Sequence, residues 1–144
     1  LEAYCDEKTI RVGILNNRSD RERRDEQFGD VAVKDLTFDL VITFGAYEEL
    51  VTRKLIANGF PATQITNLGF STNPTVDQII DALAAMIPEG HNAMLVGFVN
   101  IHTPQAEMMM AYFEHLKPGG EVSAGEPHPA GYLRRRQFEM AHGI

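Results

Sequence analysis

The run Asn16-Asn17-Arg18-Ser19-Asp20-Arg21-Glu22-Arg23-Arg24 concentrates more usable chemistry than any other part of this chain. Arg18, Arg21, Arg23 and Arg24 are four of its 13 basic residues. A guanidinium grips a carboxylate through two parallel N–H bonds, and the amides of Asn16 and Asn17 can address a substrate's backbone. The set therefore suits a ligand that carries carboxylates. The run follows an apolar stretch and opens a helical one, where cations oppose the helix macrodipole. Such a local conflict is expected where an anion binds. The competing account is a solvated ion network, in which Asp20, Glu22, Asp25 and Glu26 neutralise the arginines at little energetic gain.

Other chemistries find less support. No Gly is followed by Lys and no two Gly are separated by one residue, so neither a Walker loop nor a dinucleotide fingerprint is present. The five His residues, at 91, 102, 115, 128 and 142, never fall four apart, and no metal site is expected. Ser71, in Gly69-Phe-Ser-Thr-Asn73, is one Gly short of a nucleophile elbow, and no catalytic residue is assigned. Thr43, Gly45 and Asn100 close apolar runs of their own and are expected to line the same edge as the Arg-rich turn. At Gly45 and Gly97, tight turning and close packing compete with ligand contact. Arg134-Arg135-Arg136 is read as a solvated run, and Met108-Met109-Met110 as core filling with one exposed member.

The elements that must position these residues alternate. Thr9–Leu15, Phe38–Phe44, Gln64–Leu68 and Ala93–Val99 read as strands, from their β-branched and apolar content and the turn residues after them. Between them lie helical patterns. Asp20–Lys34 carries Phe28, Val31 and Ala32 at helical spacing; Tyr47–Asn58 is closed by Gly59. Asn73-Pro74 opens a helix with Val76, Ile79, Ile80, Leu83 and Ile87 on one stripe. Thr103-Pro104 opens another, expected to turn Ala106, Met109, Met110, Phe113 and Leu116 inward. Strands alternating with single helices predict an α/β, Rossmann-like three-layer domain with a mainly parallel sheet. The domain is expected over residues 1–116. Residues 117–144, rich in Pro and Gly at first, read as a loop-rich tail.

Composition narrows the function classes. A chain of 144 residues that is 44% hydrophobic matches one globular domain. Its net charge of -7 offers no footprint for nucleic acid. Cys5 is the sole cysteine, which favours a reducing, cytoplasmic setting. No apolar run approaches the roughly 20 residues a membrane span needs, so any membrane association would come through partners. The chain opens without Met and enters a strand by residue 10, which reads as a piece of something longer.

Asn16-x-Arg18-x-Asp20-Arg21-x-x-Arg24, directly after an apolar strand, resembles the signature of the poly-γ-glutamate synthetase subunit CapB/PgsB, a Mur-ligase-like amide ligase. The resemblance runs over residues 9 to 116, through the strand ending at Gly45, the Ile79-Ile80 helix and the strand ending in Asn100-Ile101. It departs at Val99-Asn-Ile-His-Thr-Pro104, where the family's turn carries more Gly. It implies a C-terminal domain similar to that of Mur ligases, incomplete without an upstream ATP-binding domain of the same polypeptide, where ATP and Mg2+ bind. It implies glutamate or poly-γ-glutamate as substrate and membrane subunits of a capsule synthetase as partners. Asn16, Asn17, Arg18, Asp20, Arg21, Arg24, Gly45 and Asn100 are then the substrate-binding candidates. A non-enzymatic module that binds a small anion or an acidic partner stands as the alternative, and a purely structural domain as a third reading.

Overall fold

The computed structural model describes residues 6–17, 27, 29–70, 76–99 and 109–113. Four strands form one sheet: β1 (Thr9–Asn17), β2 (Leu40–Gly45), β3 (Ile65–Asn67) and β4 (Asn92–Phe98). Their order is β3-β2-β1-β4, and every pairing is parallel. Parallel strands need crossovers long enough to hold a helix, which the segments between these strands provide. The fold is an α/β, Rossmann-like one.

Both faces of the sheet are covered. On one, Val12 and Ile14 of β1 with Ile42 and Phe44 of β2 meet Ile79, Ile80 and Leu83 of helix α2 (Val76–Met86) and the helical residues Met109 and Tyr112. On the other, Leu15 and Val41 meet Ala32, Phe38, Phe60 and the Val51 and Leu55 of helix α1 (Glu48–Ala57). The period of two along β1 delivers alternate residues to opposite layers. Each fully buried aliphatic side chain contributes about 1.5–3 kcal/mol of transfer free energy.

Local sequence explains the ends of α1. After Ala57, Asn58 and Gly59 break the helix. Gly59, at φ +93°, donates to the Ile56 carbonyl, and Phe60 donates to that of Leu55. That paired closure requires a left-handed residue, which Gly supplies without strain. Phe60 then folds back into the core.

Several elements differ from the sequence expectation. β1 continues through Asn16 and Asn17, which were expected in the turn, because both find partners on β2. The helix expected over Asp20–Lys34 ends as a π turn, Val31–Asp35, closed by Leu36 donating to the Val31 carbonyl. Met110, expected inward, is 51% exposed while Tyr112 is buried, so the helical face is rotated from the one the apolar residues suggested. Gly97 is not close-packed among the described residues: a Cβ there would meet only Val99 of these, at 3.7 Å. Gly13 is the tight position instead, since a Cβ would lie 2.7 Å from the Phe38 ring. The Asn73-Pro74 and Thr103-Pro104 starts, Phe28 and the tail 117–144 lie outside the described residues.

Candidate functional site

Open parallel sheets receive ligands beyond the carboxyl ends of their strands, where successive connections leave in opposite directions. The strand order places that point here. The chain steps outward from β1 to β2 to β3, then crosses back to lay β4 on the far side of β1. The switch point therefore lies between the carboxyl ends of β1 and β4. Asn16 and Asn17 stand at the first of these ends. Asn100, two residues beyond β4, follows the second in sequence and lies outside the described residues.

Asn16 pairs in register with Phe44, and Asn17 with Gly45. Strand alternation puts Asn16 on the side of Val12 and Ile14, the layer that α2 covers. It is a polar residue 9% exposed, and its Oδ1 accepts no hydrogen bond. A buried acceptor left unmade costs about 1–3 kcal/mol. Asp77, in the first turn of α2, also has a buried oxygen, Oδ1, without a partner. Sequence reasoning missed Asp77 because an acid in a first helical turn reads as ordinary dipole compensation.

The ends of β2 and β3 shape the neighbouring rim. Gly45, at φ +95°, donates to the Gly69 carbonyl, and Gly69, at φ +89°, donates to Asn67 Oδ1 at 2.8 Å. Both glycines occupy backbone conformations that side chains resist. Gly45 therefore turns the chain, as expected of it. Tyr47 also has a left-handed φ, 63°, at the start of α1, with no side-chain cap bond to offset it. Tyr47 and Phe70 are 45% and 72% exposed. Exposed rings and unrelieved strain at one rim are features that cluster at functional sites. Glu48, the first residue of α1, is buried.

Of the predicted site residues, the structure places Asn16, Asn17 and Gly45 side by side at this edge. Arg18, Asp20, Arg21 and Arg24 lie outside the described residues. Thr43 does not line the edge: it is wholly buried, on the α1 side with Val41, and its carbonyl accepts from Leu68. No group of three or more His, Cys, Asp or Glu that could hold a metal ion occurs among the described residues. No described helix is long and apolar enough to cross a membrane.

Comparison with known proteins fits this architecture. Residues 1–116 match the family model described as poly-gamma-glutamate synthase CapB C-terminal domain. No curated protein and no solved structure matches the chain. The parallel sheet and the match over residues 1–116 lead to one assignment: the chain belongs to the CapB C-terminal domain family of poly-gamma-glutamate synthase, with a role in poly-γ-glutamate synthesis.

Proposed function

We propose that this domain is the substrate-positioning part of an ATP-dependent amide ligase that joins glutamate through γ-amide bonds. The observation that supports it best is the position of Asn16 and Asn17 at the switch point between β1 and β4, with Arg18 the next residue in the chain. In this reading Arg18, Arg21 and Arg24 hold substrate carboxylates, and the Asn16 amide faces the same ligand. Fixing a flexible, doubly charged substrate removes orientational freedom before the reaction and so lowers its barrier.

ATP and Mg2+ fall to the upstream domain of the same polypeptide, because the residues described here do not fit them. No phosphate-gripping Gly-Lys pair occurs in the chain, and the described acids form no metal-holding group. The reading keeps the domain in the cytoplasm, reaching the inner face of the membrane only through membrane subunits of the synthetase.

The test is glutamate incorporation by the full-length parent carrying Arg18→Ala or Arg21→Ala. A loss on the order of 100-fold is expected when one preorganised charge contact is removed. Unchanged incorporation would sink the reading.

A further inference from the structure

The strand order β3-β2-β1-β4 places no described strand beyond β4. The seven residues of β4, Asn-Ala-Met-Leu-Val-Gly-Phe, include no charge and no Pro, and they pair with β1 at seven consecutive positions without a bulge. Charge, Pro, a bulge or shortness are the means by which an edge strand is kept from pairing further. The opposite edge has one of them, because β3 is only three residues long. One bond fixes the direction of the backbone groups along β4. Asn92 N–H donates to the Lys8 carbonyl at 3.1 Å, so Asn92 faces β1, and alternation turns Met94, Val96 and Phe98 the same way. The N–H and C=O groups of Ala93, Leu95 and Gly97 therefore point outward, and no described residue meets them. Ala93 and Gly97 are exposed.

These outward groups are complementary to themselves. In an antiparallel pair with Leu95 on a two-fold axis, Ala93 of one copy lies opposite Gly97 of the other, and Leu95 lies opposite Leu95. In that register every outward N–H meets an outward C=O. A slip of one residue would set outward groups against inward ones and is therefore excluded. The side chains agree with the backbone. Leu95 belongs to the layer that α2 covers, and Val96 to the layer that α1 covers. The pairing continues both layers, with Leu95 against Leu95 on one face and Met94 against Val96 on the other. Because β4 carries no charge, the copies meet there without like-charge contacts, although each has a net charge of -7. We propose that β4 is an interface for a second copy of this chain, which pairs with it antiparallel about Leu95 and joins the two sheets into one. The interface does not rest on the ligase reading.

The test is sedimentation of the full 144-residue chain over a concentration series. The sedimenting mass should rise to that of two chains. Ala93→Pro removes an outward N–H and leaves the ladder to β1 whole, so it should shift the monomer–dimer midpoint at least tenfold to higher concentration. Disulfide linking in a Cys5→Ser background reads the register. Ala93→Cys mixed with Gly97→Cys should give linked dimers at least tenfold faster than either variant alone. The mixed pair has its Cα atoms about 5.5 Å apart, within reach of a disulfide, whereas like pairs lie about 14 Å apart. If Ala93→Pro loses the native circular dichroism, the linking experiment decides alone. The mass of one chain at every concentration, growth beyond two chains, a midpoint unmoved in a folded Ala93→Pro, or equal linking in all mixtures would overturn the interface and leave this edge to another segment or another protein.

Discussion

At the amino ends of the strands Arg11 donates from Nε and Nη2 to the two Asp39 oxygens, at 3.0 and 2.9 Å, and its backbone N–H reaches the same carboxylate at 2.8 Å. Nη1 extends to Thr37 Oγ1, so even the left-handed φ of Thr37, 48°, is matched by a hydrogen bond. At the carboxyl ends of the same strands Asn16 Oδ1 and Asp77 Oδ1 accept nothing, and Tyr47 holds a left-handed φ with no side-chain cap bond. The Arg11–Asp39 clamp matches its polar groups within the protein, whereas these two oxygens near the other end are left without a partner. The carboxylates held below their ordinary range make the same division. Asp6, through the Thr9 hydroxyl, and Asp39, through the Arg11 guanidinium, both flank the amino ends. Asp30, lowered by the Asn58 amide, lies at the carboxyl terminus of α1, which points the same way.

The sharpest way to break that comparison is to remove its two halves in turn. Asp39→Ala should cost about 2 kcal/mol in urea unfolding, since it strands a guanidinium and a backbone N–H, with allowance for a pair 24% and 36% exposed. The pH dependence has a definite sign. The folded Asp39 carboxyl titrates below 3.8, so its contribution is present above that value and is lost as pH falls through the lowered folded one. Unfolding followed from pH 6 down to pH 2 should show the wild type losing stability over that acid range more steeply than Asp39→Ala. Parallel curves would mean that the clamp contributes nothing.

Asn16→Leu should have the opposite sign. Replacing a buried orphan acceptor by an apolar side chain of similar size should leave stability unchanged or raise it by up to about 1 kcal/mol, while glutamate incorporation by the parent falls. A loss of more than about 2 kcal/mol would mean that Asn16 is a structural residue. The smallest effect is asked of Tyr47: Tyr47→Gly should be more stable than Tyr47→Ala by about 1 kcal/mol, because both lose the ring and only Gly relaxes at positive φ. Equal stabilities would remove strain from the account of this rim.

Much of the fold was legible. The strand at Thr9, the Ile79-Ile80-Leu83 stripe and the stop at Gly59 all follow from local pattern, because burial on one face imposes a period and a helix end needs a left-handed residue. The Arg-rich turn stood out by charge alone, and its leading residues, Asn16 and Asn17, do lie at a carboxyl edge. Asp77, Tyr47 and Phe70 were not legible as site residues. An acid near a helix start and an aromatic beside a Gly are common, and only exposure and hydrogen bonding distinguish these from the rest.

What the sequence determined by itself was the alternation of strands and helices, hence an α/β fold, together with the place along the chain where guanidinium groups are concentrated. Strand order was decided by tertiary structure alone. Nothing local records that β4 passes over β2 and β1 to settle beyond β1, since each crossover is chosen by which layer its apolar face can cover. That choice sets the switch point beside Asn16 and draws Asn16 from an expected turn into a buried strand end.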